Sequence, residues 1–211
     1  MSKQPEDLII DFTTFTNLFK PQIKTVCPDD QEMFNQLKIE KFNAVVAGGA
    51  ALAWYQNQAV GHKDIDIWCR DQNSQMALSR HMADLNFRKS YDSDNAETYD
   101  IFLKDKRNYR IQIIKNKPYQ TVKELIDSFD ITVSQIATDG NTWWVGDDFI
   151  RDFTAKRLVL TKIHKTSIKR MIKYWIYGFQ PNDHTLQMII NNPDACWDYS
   201  NSTDEEYANA I

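Results

Sequence analysis

Alternation of apolar and polar residues predicts most of the strands in this chain. Residues 64–68 are Asp-Ile-Asp-Ile-Trp, which has the period of two expected of a half-buried strand. Residues 99–104 and 109–115 show similar alternation on both sides of a polar turn, which predicts an antiparallel hairpin. Further strands are predicted at 130–137 and 142–146, on either side of the turn residues Asp139-Gly140.

Helical spacing of apolar residues separates these strands. It predicts helices at 8–19, at 31–37, from a cap at Asp71 or Ser74 to Leu85, and at 166–177 before Gly178. The fold class expected is α/β, with a mixed, mainly antiparallel sheet flanked by helices and followed by a C-terminal helical piece. At 211 residues we expect a main domain at 1–162, with its N-terminal helices, and a helical segment with an acidic tail at 163–211.

The stretch from Val45 to Trp68 carries the clearest chemistry. Its apolar start ends in Gly48-Gly49, where backbone N–H groups at a helix start form a cradle for phosphate. Asp64 and Asp66 project from one face of the following strand, since side chains alternate between faces. Two adjacent carboxylates repel each other unless a cation lies between them, and oxygen ligands suit Mg²⁺. A phosphate cradle beside a dicarboxylate metal site predicts nucleotidyl transfer.

These residues resemble the signature of the nucleotidyltransferase-fold superfamily. That signature is an apolar residue, Gly-Gly or Gly-Ser, a short helix, and then Asp-apolar-Asp-apolar, matched here by Ala47-Gly48-Gly49 and 64–67. The later order of segments is similar to a divergent branch of small viral and phage-borne nucleotidyltransferase-like proteins. The resemblance implies Mg²⁺, or Mn²⁺ in its place, on Asp64 and Asp66. It also implies attack by a hydroxyl of RNA or protein on the α-phosphorus of a nucleoside triphosphate, with release of pyrophosphate.

The third carboxylate of that superfamily is replaced in this chain. The slot on the next core strand holds Gln112, and a neutral amide cannot take a proton from the attacking hydroxyl. Asp130 resembles a recurrent Phe-Asp aspartate of the viral branch and would complete the acid set, but an aspartate at the start of a strand is also a common turn residue. A second hypothesis is therefore a catalytically inactive nucleotidyltransferase-like protein that binds a partner.

Basic residues concentrate near the C-terminal helix. Between 151 and 173 there are eight Lys or Arg and a single acidic residue. Lys63, Arg170 and Lys173 are candidate phosphate clamps, and Tyr174 is a candidate for stacking on a base. The alternative is that these residues form an ordinary solvated helix face.

Composition limits the class of partner and the cellular compartment that we expect for this protein. A formal net charge of −4 argues against a generally basic nucleic-acid binder. Apolar runs are too short for a membrane span, the N-terminus lacks a signal-peptide pattern, and three cysteines without metal-like spacing predict reduced thiols. We therefore expect a cytoplasmic protein, in the host if it is viral. The sequence leaves the acceptor, the preferred base and the oligomeric state open.

Overall fold

A computed structural model describes residues 26–61, 64–102, 108–115 and 118–196. The strands are β1 Ala44–Ala47, β2 Asp64–Cys69, β3 Arg88–Asp92, β4 Ala96–Phe102, β5 Asn108–Ile114, β6 Ile136–Thr138, β7 Trp143–Val145, β8 Arg157–Leu158 and β9 Gln180–Pro181. The α-helices are α1 Gln31–Leu37, α2 Gly49–Tyr55, α3 Gln72–Asp84, α4 Val122–Asp127, α5 Phe149–Thr154, α6 Ser167–Ile176, α7 Asp183–Asn191 and α8 Pro193–Cys196. Short 3₁₀ turns occupy Pro28–Asp30, Ile39–Phe42 and Thr132–Ser134.

Within these residues, seven strands form one sheet in the order β3-β4-β5-β2-β1-β6-β7. Its neighbouring strands are antiparallel except for β2 and β5, which run parallel with Asp66 opposite Gln112. The predicted mixed, mainly antiparallel sheet flanked by helices is therefore confirmed.

The alternation seen in β2 divides the sheet into two faces. Ile65 and Ile67 are fully buried in the larger core cluster, whereas Asp64 and Asp66 point to the opposite side. On that opposite side, α4 covers only a small apolar cluster that includes Val45 and Ala137. The sheet surface around Asp66 is therefore left open.

Two predicted helices have the bounds and cap that the sequence indicated. Helix α1 covers Gln31–Leu37 as predicted. Helix α3 begins after Asp71, whose carboxylate accepts a hydrogen bond from the backbone N–H of Ser74 at 2.8 Å. No helix in the described part of the chain is long and apolar enough to cross a bilayer.

The strand predicted at 130–137 is wrong in its first half. Thr132–Ser134 form a 3₁₀ turn, and only Ile136–Thr138 enter the sheet. The reason is that the backbone on either side of Ile131 pairs with residues 159–161, through bonds such as Thr132 N–H to Val159 O at 3.0 Å.

Other sequence predictions concern the two ends of the chain. The helix predicted at 8–19 and the acidic tail beyond Cys196 lie outside the described residues. The domain boundary at 162 stays a prediction. Tyr174 and Phe179, which follow that boundary, are buried in the same core cluster as Leu158.

Candidate active site

A cavity of about 510 Å³ lies on the open side of the sheet. Its walls come from the β1–α2 turn, from β2 and β5, and from helix α6. The candidate site residues singled out from the sequence that line it are Gly48, Gly49, Asp66, Gln112, Arg170, Lys173 and Tyr174.

Asp66 lies in the cavity wall, whereas Asp64, two residues earlier on the same strand face, is exposed and is not among the residues that line the cavity. Burial and then repulsion from Asp64 raise the pKa of Asp66 from 3.8 to about 7, although Lys173 and Arg170 partly oppose this. The side chain of Asp64 is 44% exposed, and Arg110 Nε lies 3.9 Å from its Oδ1. Two carboxylates that disfavour each other's charge suit a divalent cation, which removes the repulsion. The carboxylate oxygens of these two residues therefore fit Mg²⁺. The remaining coordination positions of the ion would be left to water or phosphate oxygens.

The two glycines have different structural roles. Gly48 has φ +77° and ψ −132°, a conformation that a residue with a side chain rarely adopts, and its N–H donates to Ile136 O at 2.9 Å. Gly49 has no such constraint. A Cβ placed on Gly49 would lie 3.6 Å from Lys173 Nζ, so the missing side chain leaves the Lys173 ammonium next to the bare backbone.

Asp130 has a partner that the sequence did not indicate. Its side chain is 1% exposed, and its Oδ1 accepts a hydrogen bond from Arg170 Nη1 at 2.6 Å. Its Oδ2 accepts a longer bond from Ser167 Oγ at 3.4 Å. Asp130 is not among the residues that line the cavity. The structure therefore shows Asp130 as a support for Arg170, and its role as a third catalytic acid stays a prediction.

Comparison with known families identifies the chain. The model of the Gabija anti-defense 2 family matches residues 11–156. The chain belongs to this family. No curated protein matches it significantly in sequence.

Solved structures similar to this Gabija anti-defense 2 family chain include CCA-adding enzymes. The Thermotoga maritima CCA-adding enzyme complexed with tRNA is 19% identical, with a TM-score of 0.56 over 79% of this chain and 42% of that enzyme. A CCA-adding enzyme in complex with CTP is 18% identical, with a TM-score of 0.58 over 79% and 43% of the two chains. An ATP complex is 17% identical, with a TM-score of 0.58 over 82% and 43%.

The chain thus spans less than half the length of these enzymes. At this identity the likeness shows a shared nucleotidyltransferase fold. The family match ends at residue 156, so Arg170 and Lys173 come from a helix beyond the matched region.

Among the predicted residues of this Gabija anti-defense 2 family chain, Tyr174 lines the cavity but is largely buried, and its role in base stacking stays a prediction. Its side chain is 5% exposed, and its ring meets that of Phe179 edge-on at 6.4 Å. Little ring surface is therefore left for stacking on a base. Lys63 lies outside the described residues.

Sequence reasoning missed several residues that line the cavity, and three of them carry rings. Trp68 and Phe129 are half-buried aromatic residues whose ring centroids are 5.6 Å apart, and His164 is an exposed residue before α6. The position of Trp68 was available from the sequence, because it lies two residues after Asp66 on the same strand face. Phe129 and His164 lie in loops, where no periodic pattern indicates which way a side chain points.

Gln112 does occupy the place expected of the third acid. It is the cross-strand neighbour of Asp66 and lines the cavity. In the described ranges, there is no group of three or more His, Cys, Asp or Glu side chains placed to hold a metal ion. The described part of the site therefore has two carboxylates and an amide.

Proposed function

We propose that the chain is a Mg²⁺-dependent nucleotidyltransferase, which moves a nucleoside monophosphate from a nucleoside triphosphate to a hydroxyl of an acceptor. One observation carries this proposal. Asp66, with its pKa raised beside Asp64, shares a cavity with the bare backbone of Gly49 and the Lys173 ammonium. Determinants for a metal ion and for phosphate thus converge in one place.

The residues divide into two groups by charge. Asp64 and Asp66 would hold Mg²⁺ or Mn²⁺, which supplies charge neutralisation at the reacting phosphoryl group. Lys173 and Arg170 stabilise the negative charge of the β- and γ-phosphates, and Gly49 lets those phosphates approach the backbone. Asp130 orients Arg170 for this contact through the 2.6 Å ion pair.

In the transfer step, the acceptor oxygen bonds to the α-phosphorus and the bond from that phosphorus to the β-phosphate oxygen breaks. Pyrophosphate leaves, and its added charge is stabilised by Lys173 and Arg170. Gln112 can accept a hydrogen bond from the attacking hydroxyl but cannot take its proton, which passes to solvent.

A second candidate function is nucleotide binding without transfer. It is favoured by the neutral Gln112 beside Asp66, because a general base contributes roughly 10²–10⁴ to the rate of such reactions. Both candidates use the same cavity and differ in whether pyrophosphate is released.

The family name refers to counteraction of Gabija, in a phage-related setting. We propose that the nucleotide chemistry of this site serves that counteraction in the host cytoplasm. The enzymes of similar fold include complexes with CTP, ATP and tRNA, which supports a nucleoside triphosphate as the ligand and RNA as one class of acceptor.

The proposal is tested with nucleotides labelled at the α- or the γ-phosphate, Mg²⁺, and cell-extract RNA and protein as acceptors. Transfer predicts that only the α-label is incorporated, and that Asp64→Asn and Asp66→Asn abolish its incorporation. Asp84→Asn, which changes an exposed carboxylate in α3, is the matched control. Mg²⁺-dependent nucleotide binding without incorporation would support the second candidate. Equal thermal stabilisation of wild type and both site variants by Mg²⁺-nucleotide would contradict both candidates.

A further inference from the structure

The sheet surface that carries Asp64 and Asp66 continues beyond the cavity. Asp64 on β2 lies opposite Arg110 on β5. Arg110 in turn lies opposite Asp100 on β4, and Asp100 lies opposite Arg88 on β3. Cross-strand partners share a face, so these side chains and those of Tyr91 and Phe102 lie on the Asp64 side of the sheet. We call Arg88, Tyr91, Asp100, Phe102 and Arg110 the open sheet face.

Two large aromatic side chains are exposed there. Tyr91 is 65% exposed and Phe102 is 62% exposed. Aromatic rings on a sheet usually gain stability by burial, so two exposed rings on the same sheet face as Asp64 indicate a surface that binds something. The rings present flat apolar area without a deep pocket, which suits a ligand that stacks.

The charges on the open sheet face are loosely paired. Arg110 Nε lies 3.5 Å from Asp100 Oδ1 and 3.9 Å from Asp64 Oδ1, both near the upper limit for such contacts. The side chain of Arg110 is 59% exposed. Its guanidinium is therefore able to turn to another anion without leaving a buried charge unpaired.

Rings and arginines together indicate the chemistry of the occupant. Single-stranded nucleic acid is bound by aromatic side chains that stack on bases and by basic side chains that contact phosphates. A protein that binds stably would instead need an apolar surface that is broader than these two rings and closely packed against it.

The position of the open sheet face relative to the cavity decides its role. Gly49 and Lys173, which would hold the departing phosphates, lie on the β1 side of β2. Strands β5, β4 and β3 lie on the other side of β2. Because the attacking and leaving oxygens are roughly in line in phosphoryl transfer, the acceptor has to approach from the side opposite the leaving group.

We propose that the open sheet face binds the 3′ end of a single-stranded nucleic acid, which is the acceptor in the transfer reaction. This inference rests on the proposed function. The 3′ oxygen bonds to the α-phosphorus beside Asp66, pyrophosphate leaves towards Lys173, and the hydroxyl proton passes to solvent. Tyr91 and Phe102 stack on bases near the 3′ end, while Arg110 contacts a phosphate close to the reacting hydroxyl.

The test uses the full chain, Mg²⁺ and a fluorescently labelled single-stranded RNA of about 12 nucleotides with a free 3′ hydroxyl, within the usual range of site sizes. Fluorescence anisotropy measures binding directly, so it does not depend on transfer. We expect Tyr91→Ala and Phe102→Ala each to weaken binding roughly 5- to 100-fold, as the loss of one stacked base does. We expect Arg110→Gln to weaken binding and to lower its dependence on salt.

Matched controls separate this surface from a general loss of charge or aromatic area. Trp175→Ala removes a ring that is 56% exposed on α6, and Arg80→Gln removes an exposed charge on α3; neither should change RNA binding. Mg²⁺-nucleotide stabilisation, measured by thermal shift, should be unchanged in Tyr91→Ala and Phe102→Ala.

The outcomes distinguish the inference from the proposed function. Selective loss of RNA binding in the Tyr91 and Phe102 variants supports the open sheet face even if no transfer is detected. Equal RNA binding by all variants overturns it, as does absence of binding by the wild type. Transfer of the α-label to protein but not to RNA, with Mg²⁺-nucleotide binding intact, also overturns it and indicates a protein acceptor.

Discussion

Arg170 Nη1 donates a hydrogen bond of 2.6 Å to Asp130 Oδ1, and this contact joins helix α6 to the loop before β6. Asp130 is buried, whereas 45% of the Arg170 side chain is exposed, on the cavity side. Lys173 follows Arg170 by three residues and so lies on the same side of α6. The ion pair therefore helps to set the rotation of α6 that brings Lys173 to Gly49.

The first prediction separates support from catalysis at Asp130. Asp130→Asn should lower the free energy of unfolding by about 1–3 kcal/mol, because the buried partner of a charged donor is weakened. Mg²⁺-nucleotide affinity should fall with it, since Arg170 loses its orientation. Urea denaturation and calorimetric titration measure the two effects. If Asp130 were instead the catalytic base, transfer would fall with affinity and stability intact. Asp127→Asn, an exposed neighbour paired with Lys123, is the control.

A second prediction follows from the pKa of Asp66. Because the folded-state pKa is raised from 3.8 to about 7, the metal-free protein should lose stability as pH rises through this interval. Asp66→Asn removes the titrating group, so the variant should be more stable than wild type at about pH 8. Melting temperatures in a chelating buffer at several pH values measure the difference. A wild-type profile parallel to that of Asp66→Asn would contradict the raised pKa.

Mg²⁺ should reverse this dependence, which is the third prediction. The cation binds the ionised carboxylates, so protons compete with it and the stabilisation by Mg²⁺ should grow as pH rises through about 7. Thermal shifts with and without Mg²⁺ measure the effect. Asp84→Asn should behave like wild type, and a pH-independent shift in the wild type would argue against metal binding at Asp66.

The fourth prediction contrasts the two glycines. Gly48→Ala should cost about 1–3 kcal/mol of stability, because φ +77° strains a residue with a side chain. Gly49→Ala should fold normally, since its added Cβ would meet Lys173 Nζ at an ordinary 3.6 Å. That methyl group occupies the space next to the ammonium, so we expect nucleotide binding to weaken about tenfold. Normal nucleotide affinity in Gly49→Ala would show that Gly49 serves packing alone.

The fifth prediction concerns Gln112. Gln112→Glu keeps the shape of the side chain and places a proton acceptor beside Asp66. If a missing base limits transfer, the rate should rise by up to roughly 10²–10⁴, while the metal-free protein becomes less stable because a third carboxylate adds repulsion. Label transfer and melting temperature measure the two effects. Gln112→Ala serves as the comparison, and equal activity of all three proteins would leave Gln112 without a catalytic role.

Local pattern was sufficient for several features of this protein. The period of two in β2 determines that Asp64 and Asp66 share a face, and the cap at Asp71 determines where α3 begins. The resemblance to the nucleotidyltransferase superfamily implied that Gln112 stands in the slot of the third carboxylate, and the sheet register places Gln112 opposite Asp66. The first two features depend on residues close in sequence, so local pattern determines them.

Tertiary packing decided the rest. Asp130 meets Arg170, which lies 40 positions later in the sequence, and Tyr174 is buried because α6 packs against the core next to Phe179. A helical pattern shows which residues share a face but not which face meets the sheet, so the partner of Asp130 and the burial of Tyr174 could not be predicted. The open sheet face also depends on tertiary packing. Alternation places Phe102 on one side of β4. That side is exposed only because α4 packs against β6 and β7 in the assembled sheet.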